Sequence, residues 1–131
     1  MELLDDHMCF ACGERNPEGL NLNFLLDTQN KTLTAKFTPS KKYQGFKDIV
    51  HGGIIALIID EVMANLAFKL SIPAVTAEIS VKFIKPALVN SELTFTGKIK
   101  DDSKKIIFTE ASVTNAEGSL VATGTGKLLV V

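Results

Sequence analysis

The sequence predicts an α+β domain in which an antiparallel sheet of about six strands wraps around one long central helix. One apolar stretch of helical length, within residues 45–68, follows two segments of strand character and precedes four more. Short turn-forming sequences join the strand segments, which favours antiparallel neighbours. A single helix between these two sets of strands must pack across one face of the sheet, so residues 1–131 are expected to form one domain.

The first two strands are predicted from the alternation of apolar and polar residues. Residues 18–27 (EGLNLNFLLD) carry an apolar side chain at every second position, and residues 31–39 (KTLTAKFTP) repeat this period of a half-buried strand. Residues 27–31 between them are typical of a turn, so the two segments are expected to pair as a hairpin. Residues 39–50 are expected to form a polar loop that leads to the helix.

The other four strands are predicted from residue 74 to residue 131. They read AVTAEISVKFI, SELTFTGKIK, KKIIFTEASVT and GSLVATGTGKLLVV, with turn-forming residues between them. In the first of the four, the face expected to pack on the helix consists of Val75, Ala77, Ile79, Val81 and Phe83. Thr76 falls on the opposite, polar face.

Two adjacent carboxylates, Asp60 and Glu61, interrupt the apolar helix. A buried ionised carboxylate is costly unless it is paired, shifts its pKa or faces a polar cleft. At about 100° per residue the two acids point in different directions. Asp60 lies among small alanines that let a ligand or another subunit approach, which favours a functional role, whereas Glu61 lies near Asn65 and is expected on a solvated edge.

The helix is expected to begin at His51-Gly52-Gly53. The first amides of a helix have no intrahelical partner, and two glycines leave room for a polarised oxygen to approach them. Asp60 lies about 12 Å further along the helix axis, too far for both groups to touch one atom of a ligand. This spacing predicts a site between two subunits of a homodimer or homotetramer.

The composition is that of an ordinary globular protein. The chain has 131 residues, is 46% apolar and carries a net charge of -1, so it has no general field for binding nucleic acid. The two acids interrupt its only long apolar run, and residues 1–10 lack the basic-then-apolar plan of a signal peptide. We therefore expect a cytoplasmic protein with no membrane partner.

The only two cysteines are Cys9 and Cys12. With His7 they offer three ligands for a tetrahedral zinc ion, and a fourth could come from Asp5, Asp6 or a second chain. The favoured interpretation is a reduced, partly buried pair in an N-terminal segment that packs over the sheet, with no metal. A thioredoxin-like role is disfavoured, because the pair does not open a helix after a βαβ strand.

Several motifs together resemble the hotdog-fold acyl-CoA thioesterases of the PaaI-like branch. They are HGG followed by an apolar run with an acid nine residues after the histidine, the upstream YQGF, and the downstream strand ending FIKPAL. The opening CFACGERNPEGLNLNF is also similar to a subgroup of this family. The resemblance covers nearly the whole chain. It implies a hotdog fold, with residues 1–131 as a single thioesterase-like domain that hydrolyses an acyl-CoA without a cofactor.

The resemblance also implies roles for individual residues in polarising the thioester carbonyl. The backbone N–H of Gly52 matches the family's oxyanion donor, assisted by an amide side chain of the preceding loop. That amide is often an asparagine six residues before the histidine, where this chain has Gly45, and Gln44 is the nearest candidate. His51, Gly53, Gly45 and Phe46 are expected to contact the substrate, with His51 mainly structural.

Asp60 matches the family's general base or nucleophile, contributed by the opposite subunit. Glu61 is the second choice, since other branches carry a glutamate, and Thr76 matches a hydroxyl that positions water. The departure at Gly45 supports an alternative function, a non-catalytic hotdog domain that binds an acyl-thioester or another apolar ligand.

Overall fold

The computed structural model describes residues 2–131, which form a six-stranded antiparallel sheet around one helix. The elements in chain order are β1 (Phe24–Asp27), β2 (Thr32–Phe37), a short 3-10 helix (Lys41–Tyr43), α1 (Gly52–Lys69), β3 (Ala74–Phe83), β4 (Leu93–Asp102), β5 (Ile106–Thr114) and β6 (Leu120–Val130). The strands lie side by side in the order β1-β2-β4-β5-β6-β3. The predicted fold class is therefore confirmed.

Helix α1 packs on one face of this sheet. Its buried side chains recur every three or four positions, the period of a helix with one apolar face; they are Ile55, Ile58, Ile59, Val62, Met63, Leu66 and Ala67. Gly97 in β4 lets the two backbones come close, because a Cβ atom there would collide with the Val62 carbonyl group. Within residues 2–131, no helix combines the length and apolarity needed to cross a bilayer.

The first strand is shorter than the alternating pattern of residues 18–27 predicts. Only Phe24–Asp27 forms β1, which pairs with β2 as the expected antiparallel hairpin. Leu20 and Leu22 are buried, but their N–H groups donate to the carbonyls of Phe10 and Ala11. The alternation therefore predicted burial correctly, whereas the pairing partner of this segment is the N-terminal loop.

Strand β3 contains a bulge that changes which residues face the helix. Its pairing with β6 is regular up to Thr76, which lies opposite the buried Leu128, and then shifts past Ala77. One extra residue in a strand shifts its alternation. Thr76 consequently shares the helix face with the residues at 79, 81 and 83. The predicted face is right for those three and wrong for Val75, Thr76 and Ala77.

Candidate active site

His51 caps the N-terminus of α1. Its Nδ1 accepts a hydrogen bond of 2.8 Å from the backbone N–H of Gly53. A neutral imidazole that accepts at Nδ1 carries its proton on Nε2. Because the Gly53 amide is occupied in this way, the Gly52 amide is the one left at the helix start without a hydrogen-bond acceptor among the described residues.

Gln44 opens a tight loop just before the helix. Its backbone forms an isolated bridge with Val50, and the N–H of Gly45 donates to the Ile49 carbonyl at 2.8 Å. The Gln44 side-chain oxygen, Oε1, accepts from the Asp48 N–H at 2.9 Å. This contact fixes the amide and leaves its NH₂ group as the part available to a ligand.

A cavity of about 890 Å³ lies between this loop, the start of α1 and the end of β3. Gln44, His51, Gly52 and Lys85 are its polar or backbone-donating residues, and most other lining side chains are apolar: Phe46, Ile49, Val50, Ile55, Phe83, Ile84, Pro86 and Ala87. Phe46, at the tip of the loop, is 86% exposed. An apolar cavity with a few convergent donors suits an apolar group that carries a polarised oxygen.

Asp60 lies away from this cavity and contacts β3 instead. The hydroxyl of Thr76 donates to Asp60 Oδ1 at 2.7 Å, and both side chains are partly buried. Among residues 2–131, no donor occupies the second carboxylate oxygen, Oδ2. Two turns of α1, about 12 Å, separate Asp60 from Gly52. One chain therefore holds a hydroxyl-supported carboxylate and an amide-lined cavity at different places on the same helix.

Glu61 points about 100° around α1 from Asp60, under the N-terminal segment. Cys9 Sγ lies 4.0 Å from each of its carboxylate oxygens, and Asn65 Nδ2 lies 3.4 Å from Oε1. Burial raises the pKa of Glu61, and the neighbouring charge of Asp60 adds to this effect. The predicted solvated position of Glu61 is wrong, because the N-terminal segment covers it, whereas its predicted pairing with Asn65 is confirmed.

The N-terminal segment itself packs on α1 at this point, where it was expected to pack over the sheet. Burial raises the pKa of the Cys12 thiol well above its ordinary range. His7 is turned away from the cysteines, with its Nδ1 3.4 Å from a carboxylate oxygen of Glu14. Cys9, Cys12 and Glu61 therefore form one cluster without His7.

The sequence patterns did not indicate Ile84, Lys85 and Pro86 as cavity residues. These residues follow β3 and reach the helix start because Ile49 forms a bridge with Leu88, which ties the two loops together. Contacts between loops that are distant in sequence leave no local periodicity. The turn-forming Pro86-Ala87 was the one available signal, and it indicated only the end of a strand.

Residues 47–122 match the family model of the thioesterase superfamily, and the chain belongs to this family. Human acyl-coenzyme A thioesterase 13 is 30% identical over 78 residues, which cover 57% of this chain and 56% of the human protein. The chain thus matches about half the length of that relative.

Two solved structures share the fold. The Escherichia coli PaaI protein of the phenylacetic acid degradation operon has a TM-score of 0.79 and 18% identity, covering 86% of this chain and 80% of PaaI. A Streptococcus mutans protein bound to acetyl-CoA has a TM-score of 0.78 and 20% identity, covering 85% of this chain and 89% of that protein. The predicted hotdog fold and the PaaI-like resemblance are confirmed.

Proposed function

We propose that residues 1–131 act as one domain that hydrolyses the thioester of an acyl-CoA in the cytoplasm, at a site between two subunits. Membership of the thioesterase superfamily, the activity in the human relative's name and the acetyl-CoA bound to the streptococcal protein support this substrate class. The observation that carries the proposal is the Asp60–Thr76 hydrogen bond of 2.7 Å. It fixes a partly buried carboxylate whose other oxygen is available for chemistry.

The thioester carbonyl would be polarised by two donors beside the cavity. One is the backbone N–H of Gly52 at the positive end of the helix dipole, and the other is the side-chain NH₂ of Gln44. Both residues line the cavity, and the Gln44 oxygen is already held by Asp48. Fixed donors of this kind stabilise the negative charge that develops on the oxygen during attack at the carbonyl carbon.

Two subunits can bring Asp60 to the cavity through β3, which is an edge strand of the sheet. An exposed edge strand can pair with a second copy of itself. If two β3 strands pair antiparallel around a two-fold axis through Ser80, the extra residue at Ala77 brings Thr76 opposite Phe83 of the second subunit. A Phe83 ring atom is only 3.2 Å from the Cβ position of Gly52. The carboxylate of one chain would then face the amide of the other.

The exposed apolar side chains around the cavity support this assembly. Leu88 is 59% exposed, Phe83 53% and Ile84 50%, and such a cluster is typical of a surface that is covered by a partner. A homodimer is the smallest assembly that completes the site. A homotetramer built from two such dimers would keep the same site.

Asp60 would act as general base or as nucleophile. As a base it takes a proton from water while the water oxygen attacks the carbonyl carbon, the C–S bond then breaks, and the coenzyme A thiolate leaves and is protonated. As a nucleophile it attacks the carbonyl carbon and displaces the coenzyme A thiolate, which is protonated, and water then hydrolyses the resulting anhydride. In both cases Thr76 orients the reactants by donating to Oδ1 and accepting from water.

The two-subunit site is tested by mixing two inactive chains. Asp60→Asn lacks the carboxylate, and Gly52→Pro lacks the amide hydrogen at a first helical position where proline is tolerated. In a mixed dimer one site has both defects and the other has neither. Refolding the two variants together should therefore restore about a quarter of wild-type thiol release, because about half of the dimers are mixed.

Thiol release is measured over a panel of aliphatic and aromatic acyl-CoAs, with either variant refolded alone as the control. Activity that stays at the level of the single variants after mixing, although mixed dimers are detected by native mass spectrometry, would rule out the shared site. Absence of turnover in the wild type on every substrate would rule out hydrolysis itself.

The alternative function is binding of an acyl-thioester without turnover, favoured by the absence of a side-chain amide at Gly45. An asparagine fits there, because a Cβ would lie 3.4 Å from His51 Cα, an ordinary contact. If the wild type binds acyl-CoA saturably without releasing thiol and Gly45→Asn gains turnover, the binding function is favoured. If Gln44→Ala lowers wild-type turnover and Gly45→Asn restores it in that background, hydrolysis with Gln44 as donor is favoured.

A further inference from the structure

Three metal-binding side chains meet where the N-terminal segment crosses α1. One ligand atom from each of Cys9, Cys12 and Glu61 lies within 4.8 Å of the other two, and Cys9 Sγ is 4.0 Å from both carboxylate oxygens. Around a tetrahedral zinc ion, with Zn–S of about 2.3 Å and Zn–O of about 2.1 Å, ligand atoms are about 3.5–3.8 Å apart. The cluster needs to contract by only a few tenths of an ångström at its closest contacts.

The backbone of the Cys-x-x-Cys-Gly loop holds both thiols toward the helix. The N–H of Gly13 donates to the Cys9 carbonyl at 2.8 Å, and the N–H of Arg15 donates to the His7 carbonyl at 2.9 Å. A Cβ atom at Gly13 would lie 2.6 Å from the carbonyl oxygens of both Cys9 and His7, so the loop is wrapped as tightly as glycine permits. The fold thus fixes two of the ligands before any metal binds.

The charges around Glu61 also favour a bound cation. Glu61 makes no salt bridge within residues 2–131, although the charge of Lys69 acts on it from a distance, and its hydrogen-bonding neighbours are thiols and the Asn65 amide. A partly buried carboxylate and two thiols cannot all ionise side by side without compensation. A divalent ion allows all three to ionise, and a site with two thiolates selects zinc over magnesium or calcium.

We infer that Cys9, Cys12 and Glu61 bind one zinc ion that fastens the N-terminal segment to α1. A water molecule completes the tetrahedron, or the Asn65 amide does so after a flip that exchanges its oxygen with the Nδ2 that now lies 3.8 Å from Cys12 Sγ. His7 is not among the side chains whose ligand atoms all lie within 4.8 Å of one another, and its Nδ1 faces Glu14 instead. The ion is structural and lies under the N-terminal segment, outside the cavity and the Asp60–Thr76 pair, so it takes no part in the proposed hydrolysis.

The test is metal binding by the full chain, kept reduced and first stripped with a chelator. Cobalt(II) serves as the spectroscopic probe, and zinc content is measured by mass spectrometry after reconstitution and dialysis. The wild type should bind one ion per chain, with a thiolate-to-cobalt charge-transfer band in the near ultraviolet and the visible bands of a tetrahedral ion. Neither readout depends on turnover of a thioester.

Single-ligand variants then decide which residues bind the ion. Cys9→Ser, Cys12→Ser and Glu61→Gln should each weaken binding more than about 100-fold, since even outer-shell partners of a metal cost 10–100-fold. His7→Asn is the matched control and should bind as the wild type does. Loss of binding in His7→Asn, or an unchanged cobalt spectrum and affinity in Glu61→Gln, would overturn this ligand set.

A second measurement uses only the wild type, so its result does not depend on whether the variants fold. In the wild type, zinc should slow alkylation of Cys9 and Cys12 by iodoacetamide more than tenfold and raise the melting temperature. A reduced, folded wild type that binds no stoichiometric metal, or whose thiols react equally fast with and without zinc, would overturn the inference.

Discussion

The two adjacent carboxylates of α1 lie in different environments. On one side Asp60 accepts from a single hydroxyl of the sheet and keeps one oxygen free. On the other side a loop with two thiols covers Glu61, and the Asn65 amide of the same helix lies beside it. Residues adjacent in a helix point about 100° apart, so neighbours in sequence can belong to unrelated sites. The chemistry available to an acid in this helix therefore depends on the element that faces its side chain.

The largest effect is expected from replacing Asp60. Asp60→Asn should lower kcat for thiol release by about 10²–10⁴-fold with little change in melting temperature, because the amide can still accept from Thr76 but cannot take a proton or attack. Glu61→Gln, with or without added zinc, should change kcat less than about threefold, since Glu61 lies outside the proposed site. Equal losses in the two variants would contradict the division between the two sides.

The next largest effect is expected at the start of the helix. Gly52→Pro should lower kcat by about 10²–10³-fold, the usual result of losing one oxyanion donor. Proline fits there because His51 has φ -59° and ψ 130°, angles that a following proline tolerates. Gly52→Ala keeps the N–H and is the control; its methyl group would lie 3.2 Å from a Phe83 ring atom that can move. An alanine variant as inactive as the proline variant would indicate crowding instead of a lost donor.

A smaller effect is expected from the hydroxyl that supports Asp60. Thr76→Ala should lower kcat/KM by about 10–100-fold, since a hydrogen bond to a charged group contributes about 1.5–3 kcal/mol. Thr76→Ser retains the donor and should recover most of the activity. Steady-state kinetics of the two variants side by side make the measurement, and a serine variant no better than alanine would count against the proposed role of the hydroxyl.

The smallest effect is expected on the pH dependence of stability when Glu61 is replaced. The pKa of Glu61 is raised mainly by burial above its ordinary value of 4.5, so the folded protein without metal binds this proton more tightly than the unfolded chain does. The resulting stabilisation is present below about pH 4.5 and is lost as the pH rises through the folded-state value. Glu61→Gln should therefore stabilise the zinc-free protein at pH 7.

Urea denaturation at several pH values measures this difference. The extra free energy of unfolding of the glutamine variant over the wild type should shrink as the pH falls toward 4.5. With zinc at pH 7 the wild type should become the more stable protein, because only the carboxylate binds the ion. A zinc-free Glu61→Gln protein less stable than the wild type at pH 7 would show that the ionised carboxylate is better accommodated than its burial indicates.

The fold was predictable because its signals are local. An apolar run of helical length and the turn sequences between alternating segments are read within windows of ten to twenty residues. The bulge at Ala77 was not predictable, since it is a shift of register between two strands and Thr76 looks like any outward-facing threonine in the sequence. The cover over Glu61 was missed for a similar reason, because alternation in residues 18–23 predicts burial but does not identify the partner.

The candidate site was likewise predictable only in part. The helix rise alone predicted that Asp60 and Gly52 are too far apart to serve one ligand atom. The hydrogen bond from the Gly53 N–H to the His51 ring could not be predicted. The two residues are close in sequence, but their contact depends on the rotamer of the ring. Family resemblance indicated Thr76 although the strand pattern assigned it to the wrong face.

The bulge at Ala77 has a consequence for how such a site can arise or disappear. If β3 lost the bulge without losing a residue, Thr76 would move from opposite Leu128 to opposite the half-exposed Leu129, while residues 78–83 kept their pairing with β6. Its hydroxyl would then point away from Asp60. Every catalytic residue type would still be present in the chain. In this fold, a one-residue shift in the register of an edge strand is as direct an evolutionary route to gaining or losing a functional side chain as a substitution.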